Sequence, residues 1–346
     1  MSRLALYTSR IFLVRWFSIS LGMVVLVGLV DSLASASALP EGDTVFGTFR
    51  YMALRAPDIF SKLFLMVVML ATLLTFLSLV RNRELVAILG LGYSVPAQWW
   101  MLAPAVFLAA AFSVVLIDQS VPPTIRALDA WRGAEGAPDA NPLWLDDQGM
   151  FVEITSVGGN ELLGLTFVER DENGAVRSIR WAERADYSDE GWKLTGVTEQ
   201  RFDGENLTTS LVWETEQTPE ALQTLGAEPI DLAISDLRRL ARLRGSGSRP
   251  SAAYSAALLN RLTQPFKALV YLFVAAAIMQ QPGRGASGDI AMVYGAAIGF
   301  LFLVLDGAIM TMAQSGFMNP WFATFSPMGL LGFVGAVLWL RREVTE

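Results

Sequence analysis

The chain contains neither cysteine nor histidine. Without cysteine there is no disulfide frame and no thiolate metal site. Without histidine the usual general base, the usual zinc ligand and every Ser-His or Cys-His pair are gone. Charge is scarce as well: 17% of the 346 residues are charged, against about 25% in an ordinary soluble chain. Neither G-x-x-x-x-G-K-[ST] nor H-E-x-x-H occurs. The run Gly283-Arg284-Gly285-Ala286-Ser287-Gly288 is glycine-rich but has no P-loop lysine, so it predicts a turn. A membrane protease or transferase is disfavoured on these grounds, and any ATP must be hydrolysed on another chain.

What the chain has is apolar length. It is 53% hydrophobic with a mean hydropathy of +0.42, and runs almost free of charge recur, which marks an integral membrane protein. The net charge of -7 is uneven. From Val121 to Ala252 there are 13 basic and 23 acidic residues; the remainder has 13 basic and 10 acidic. An acidic insert therefore sits within a mildly basic membrane scaffold. No basic stripe is left to neutralise phosphates, so nucleic acid is not an expected partner.

Six spans are predicted. The first follows Arg3, Arg10 and Arg15 and extends to about Ala38. Its Ala34-Ser35-Ala36-Ser37-Ala38 tail resembles a signal-peptidase site, but the apolar stretch is longer than a signal h-region of about 7–15 residues. A short polar connection and an amphipathic piece follow, over Leu39 to Pro57. The second span covers Asp58 to Val80 and the third Trp99 to Ile117, ended by Asp118 and the Pro122-Pro123 pair. Spans four to six cover Pro265 to Met279, Ile290 to Met312 and Ser326 to Leu340. Gln280, Gln281 and Gln314 stand at span ends. Short loops on one side carry Arg3, Arg10, Arg81, Arg83, Arg284, Arg341 and Arg342, while the opposite loop Gln314 to Phe325 has no basic residue. Positive-inside bias places the termini in the cytoplasm and the insert outside.

The insert has a different grammar. Turn clusters at Asp146-Asp147-Gln148-Gly149, Asp171-Glu172-Asn173-Gly174, Asp189-Glu190-Gly191 and Asp203-Gly204-Glu205-Asn206 separate β-branched and aromatic segments. Asn173-Gly174 is a strong hairpin signal. An antiparallel sandwich or partly open barrel is expected, followed by an amphipathic helix at about 232–243 and a linker from Gly245 to Pro250. The predicted fold is thus an α-helical membrane protein of six transmembrane helices, three plus three, with an inserted all-β jellyroll-like periplasmic domain. Its parts are 1–123 (helices one to three, with a cytoplasmic helix at about 81–92), 124–250 (the β domain) and 251–346 (helices four to six).

That layout resembles the LptF/LptG (YjgP/YjgQ) family of lipopolysaccharide-export permeases. The resemblance rests on RAPDIFSKLFLMVVMLATLLTFLSLVRNRELVAILGLGYSV, WLDDQGMFVEITSV, RWAERADYSDEGWKLTGVTEQRFDG and SDLRRLARLRGSGSRPSAAYSAALLNRLTQPFKALV, in that order. The N-terminus and the last stretch lean towards LptG. The resemblance implies a non-catalytic permease in the inner membrane of a Gram-negative bacterium. It also implies a cytoplasmic ATPase dimer (LptB-like) carrying ATP and magnesium, a second permease (LptF-like) and a single-span jellyroll partner (LptC-like). No cofactor is expected on this chain.

Candidate sites follow. The stretch Leu79 to Gln98 has charges at Arg81, Arg83 and Glu84 and apolar Leu85, Ile88 and Leu89 at helical spacing, ended by Gly90 and Gly92. The resemblance makes it the coupling helix in an ATPase groove, with Glu84 facing an arginine and Leu85, Ile88 and Leu89 filling the groove. The family's usual run there is replaced by Leu89-Gly90-Leu91; the plain alternative is a solvated loop. Arg50, Arg55, Lys62, Arg126 and Arg132 at the outer span ends are candidate lipid-headgroup ligands, or interfacial cations that snorkel to ordinary phospholipid. Lys62 is the leading one. Asp306 within FLFLVLDGAIM is costly in a span and suggests proton coupling, or a protonated or hydrogen-bonded carboxyl facing another helix or the cavity, the reading preferred here. Phe151, Phe167, Trp181, Trp192, Phe202 and Trp213 line either an acyl-chain slide or an ordinary β core. An ion-coupled secondary transporter and a lipoprotein-release permease of the FtsX/LolC kind are the competing functions.

Overall fold

The structure is a computed structural model that describes residues 2–35, 45–93, 95–132, 142–147, 150–158, 160–170, 176–188, 191–201, 206–207, 212–213, 215, 218–242, 249–279 and 288–343. The chain forms α1 (Ser2–Ala34), α2 (Val45–Arg81), α3 (Glu84–Gly90), α4 (Val95–Arg132), β1 (Leu143–Asp147), β2 (Met150–Gly158), β3 (Glu161–Arg170), β4 (Val176–Ser188), β5 (Gly191–Thr195), β6 (Thr198–Arg201), β7 (Asn206–Leu207), β8 (Val212–Trp213), α5 (Pro219–Gly226), α6 (Ile234–Arg242), α7 (Ser251–Met279), α8 (Gly288–Gln314) and α9 (Pro320–Glu343). Among the described residues six helices, α1, α2, α4, α7, α8 and α9, are long and apolar enough to cross a membrane. The chain divides into two compact units. One holds Met1–Gly28, Ala56–Gln119 and Ser255–Glu346; the other holds Leu29–Arg55 and Ser120–Tyr254.

The helices outrun their expected limits at prolines. α2 begins at Val45 and contains Pro57, α7 begins at Ser251 and contains Pro265, and α9 begins at Pro320 and contains Pro327. α4 passes through Pro122-Pro123, which do not end it, and reaches Arg132. Proline removes one helical hydrogen bond and costs about 3 kcal/mol in an ordinary helix. In or beside hydrocarbon, breaking the helix would strand several backbone groups instead, so the proline is absorbed. Side chains keep the helical period across the pair: Ile117, Val121 and Leu128 are all buried.

The first unit's core is built mainly by α2, α4 and α7, through residues such as Phe64, Val68, Leu73, Phe76, Leu102, Val106, Ala110, Leu272 and Ala275. α8 and α9 attach through close backbone approaches. A Cβ at Gly295 would lie 2.6 Å from a Leu73 methyl, and one at Gly299 would lie 2.8 Å from Met69. This is the small-xxx-small contact of membrane helices.

The second unit is centred on one antiparallel sheet of order β1-β2-β3-β4-β5-β8, with β6 on β4 and β7 on β6. Strand β4 pairs β3 along one edge and shares its other edge between β5 and β6. Those two keep a single register, Arg184 opposite Thr195 and Trp181 opposite Thr198, so they are one strand kinked at Gly196. Gly196 has φ +68°, and a Cβ there would meet the Glu183 side chain at 2.9 Å, so both conformation and space require glycine. The core is Leu143, Val152, Ile154, Leu162, Leu165, Phe167, Ala185, Trp192, Leu194 and Trp213, with Leu222 of α5 packed into it. Helix α5 is absent from the expectations, although Thr218-Pro219-Glu220 signals it: Thr218 Oγ1 accepts from the Ala221 amide at 3.3 Å with proline in the first turn. The turn clusters at 171–174 and 203–205, the linker 245–248 and the run at 283–287 lie outside the described residues.

Candidate functional site

The helix α3 is held between two turns. Asn82 and Arg83 donate their amides to Ser78 O and Val80 O, closing α2, and Arg83 takes φ 57°, the left-handed setting usual for glycine. The first carboxylate of α3, Glu84 Oε1, accepts from the Tyr7 hydroxyl at 3.1 Å and from Asn82 Nδ2 at 3.4 Å. Arg81 is ion-paired with Asp289 at the start of α8. The end of α2 and the starts of α1 and α8 thus meet around this short helix.

Its apolar residues do not all face outward. Ile88 is buried, 5% exposed, and lines a small cavity with Thr8, Thr75, Phe76, Leu79, Gln98, Met101 and Leu102; Leu85 packs on the same core. The apolar face expected to fill a partner's groove is therefore turned to the bundle at Leu85 and Ile88. Val86, 69% exposed, and Leu91, 73% exposed, are what α3 and its end offer outward, beside the exposed Arg83 and Ala87. The Leu89 side chain lies outside the described residues.

Four of the headgroup candidates have partners within the chain. Arg55 Nε lies 3.5 Å from Asp31 Oδ2, which also accepts from the Tyr51 hydroxyl at 2.7 Å. The Arg50 guanidinium sits 5.0 Å over the Trp131 ring, a cation–π contact. Arg126 lies 3.9 Å from Asp236. Lys62 pairs with Asp58 at 3.0 Å one helical turn away, and Asp58 is 1% exposed. Lys62 belongs to the first unit and the other four to the second; the Arg132 side chain lies outside the described residues.

Asp306 has a partner that the sequence reading missed. Lys267 Nζ, in α7 and 3% exposed, donates to Asp306 Oδ1 at 2.7 Å and Oδ2 at 2.9 Å, and to Asn260 Oδ1 at 2.7 Å. The pair lines a cavity of about 10 Å³ with Tyr271, Phe302, Pro327 and Met328, room for a single water. The carboxyl is hydrogen-bonded and faces another helix, as one of the expected readings has it, and its partner is a buried cation. A second pair joins Arg261, 6% exposed, to Asp118 at 3.4 Å, and Arg15 donates to the Leu74 carbonyl of α2. The available signal was charge balance: Arg261 and Lys267 are two cations for the two carboxylates Asp118 and Asp306.

In the β unit the aromatic set separates. Phe167, Trp192 and Trp213 are core, with Trp213 Nε1 donating to Asp147 at 2.9 Å. Trp181 is 38% exposed, and Phe151 lies under the Arg170 guanidinium at 4.6 Å. Those two do not line the interior; Phe202 lies outside the described residues.

Residues 6–341 match the family model described as "Lipopolysaccharide export system permease LptF/LptG". The chain belongs to the LptF/LptG family. It is similar to the lipopolysaccharide export system permease protein LptG of Escherichia coli strain K12, 26% identical over 299 residues, covering 82% of this chain and 83% of that one. The LptG of Haemophilus influenzae is 23% identical over 269 residues, covering 74% and 75%. The LptF/LptG match runs through α3, the β unit and every span, so the six-helix layout and the inserted sheet are family architecture.

Proposed function

We propose that this chain is the non-catalytic permease subunit of an ATP-binding cassette exporter that takes lipopolysaccharide from the inner membrane of a Gram-negative bacterium and passes it to a periplasmic bridge. The observation that carries the reading is the family match over residues 6–341, joined to a short helix, α3, that is anchored on its inner side and apolar on its outer side. Energy enters from a separate cytoplasmic ATPase dimer that binds ATP and magnesium. Its push is received by Val86, Ala87 and Leu91, with Glu84 and Arg83 giving the contact its polar register. Because Ile88 and Leu85 are seated in the bundle, a displacement of α3 is transmitted to α2 and α4 rather than absorbed in a loop.

The termini and α3 lie in the cytoplasm, supported by the arginines at that end, and the β unit lies in the periplasm. A second permease completes the lipid cavity, and a single-span jellyroll protein docks its sheet by strand pairing. A second reading, an ion-coupled transporter, is favoured by one observation: the buried Lys267–Asp306 pair is the kind of intramembrane charge pair such a mechanism uses. Affinity purification of the tagged chain in mild detergent, with mass spectrometry of co-purifying proteins and lipids, separates the two. Recovery of an ATPase, a second permease and lipid A supports the exporter, with the ATPase lost in Val86→Glu. A chain that purifies alone overturns it and brings the ion-coupled reading forward.

A further inference from the structure

The second unit carries a positive face that runs against its composition. From Val121 to Ala252 the chain is strongly acidic, yet α6 reads ISDLRRLAR. Leu237 and Leu240 of α6 are buried, and Arg238, Arg239 and Arg242 are exposed. Arg238 and Arg242 are four residues apart, hence on one face, and have no ion pair among the described residues. Asp236 in the first turn holds Arg239 at 3.5 Å and Arg126 of α4 at 3.9 Å. Arg126 and Arg239 therefore share one carboxylate, and α6 itself carries three arginines to one aspartate.

The helix α4 continues beyond its span as far as Arg132. From Trp99 to Asp118 it rises about 29 Å, close to the roughly 30 Å thickness of bilayer hydrocarbon. Arg126, eight residues on in the same helix, stands about 12 Å past that level. The headgroup layer is about 5–7 Å deep, within reach of a long arginine side chain on that helix. The chain also returns to a span within nine residues of Arg242, at Ser251.

We propose that α6 and the end of α4 dock on the anionic phospholipid headgroups of the leaflet that α4 emerges from. Arg238 and Arg242 are the headgroup ligands, and Asp236 is the residue that fixes Arg126 and Arg239 beside them. A basic helix face beside a membrane segment gains about fivefold in surface affinity per lysine or arginine, so charge is the recognised feature. The inference stands on the spans and on α6 alone and is independent of the cargo.

The absence of cysteine makes the test clean. Ser235→Cys, exposed on α6, is labelled with a fluorophore in the full chain and reconstituted in nanodiscs containing headgroup-nitroxide lipid. In phosphatidylglycerol discs we expect quenching several-fold stronger than in phosphatidylcholine discs, weakened by salt. It falls to the phosphatidylcholine level in Arg238→Glu/Arg242→Glu and is retained in Arg238→Lys/Arg242→Lys. Equal quenching in both lipids overturns the proposal. So does quenching that needs added lipopolysaccharide, because the arginines would then serve the cargo, and so does loss in the lysine pair, because charge would then not be the recognised feature.

Discussion

The six membrane helices fall into two trios that hydropathy does not distinguish. In α2, α4 and α7 the most apolar windows have hydropathies of 2.7, 2.3 and 1.6, and in α1, α8 and α9 they have 2.1, 2.0 and 1.6. Burial separates them: 61, 56 and 67% of the first set is buried, against 11, 17 and 28% of the second. Lipid and a protein core are equally apolar solvents, so a leucine carries no label for which one it faces. What marks the inner trio is polar chemistry that lipid cannot satisfy. Lys267 and Arg261 on α7, Asp58 on α2 and Asp118 on α4 are held by ion pairs. The outer trio is attached to the inner one at a few points. These include Lys267 to Asp306 of α8, Arg81 of α2 to Asp289 of α8, the glycines of α8 against Leu73 and Met69, Gly335 of α9 against Phe273 and Val274, Trp16 of α1 against Phe60, and Arg15 of α1 on the Leu74 carbonyl. Elsewhere its large side chains, such as Phe17, Leu26, Val293, Leu301 and Phe333, are open to lipid or to other subunits.

Breaking the comparison begins with its deepest attachment. Lys267→Ala leaves Asp306 uncompensated and should cost about 3–5 kcal/mol, read as a lowered unfolding temperature in nanodiscs. Lys267→Met with Asp306→Leu should recover most of the loss, since a matched apolar pair removes both charges together. Next comes the backbone approach: Gly295→Leu drives a side chain into Leu73 and should cost about 1–3 kcal/mol. Gly307→Ala on the same helix, where a Cβ meets nothing within 4 Å, should be neutral or slightly stabilising. Arg83→Gly removes the left-handed penalty before α3 and should gain about 1 kcal/mol by thermal unfolding. Smallest are the open faces: Leu26→Ala and Val293→Ala should leave stability within about 0.5 kcal/mol. A large loss there would mean that the outer trio is packed within this chain after all.

The strands were legible because alternation and turn residues act locally. FVEITSV, LLGLTFVER and VRSIRWAERADY lie in β2, β3 and β4, and WKLTGVTEQR runs through β5 and β6. Span existence was legible from apolar length, but span limits were not. Limits set beside Pro57, Pro122, Pro265 and Pro327 all moved, because the rule that proline ends a helix assumes water on the freed carbonyls. Within α3, the spacing of Leu85 and Ile88 showed an apolar face, and sequence cannot say whether that face meets its own bundle or a partner. The Lys267–Asp306 pair was hidden for the same reason. Asp306 stood out as a lone charge in an apolar run, while Lys267 was passed over near the start of the expected fourth span, in the interior of α7, and only the packing of α7 on α8 joins them.

The central claim is that α3 is anchored inward by Ile88 and contacted outward by a cytoplasmic ATPase at Val86. A photo-crosslinking amino acid placed at Val86 or at Ile88 in inner-membrane vesicles tests it directly. The account predicts a crosslink from Val86 to an ATPase chain and, from Ile88, only crosslinks within this chain. An ATPase crosslink from Ile88 and none from Val86, or no ATPase crosslink from either, would contradict it.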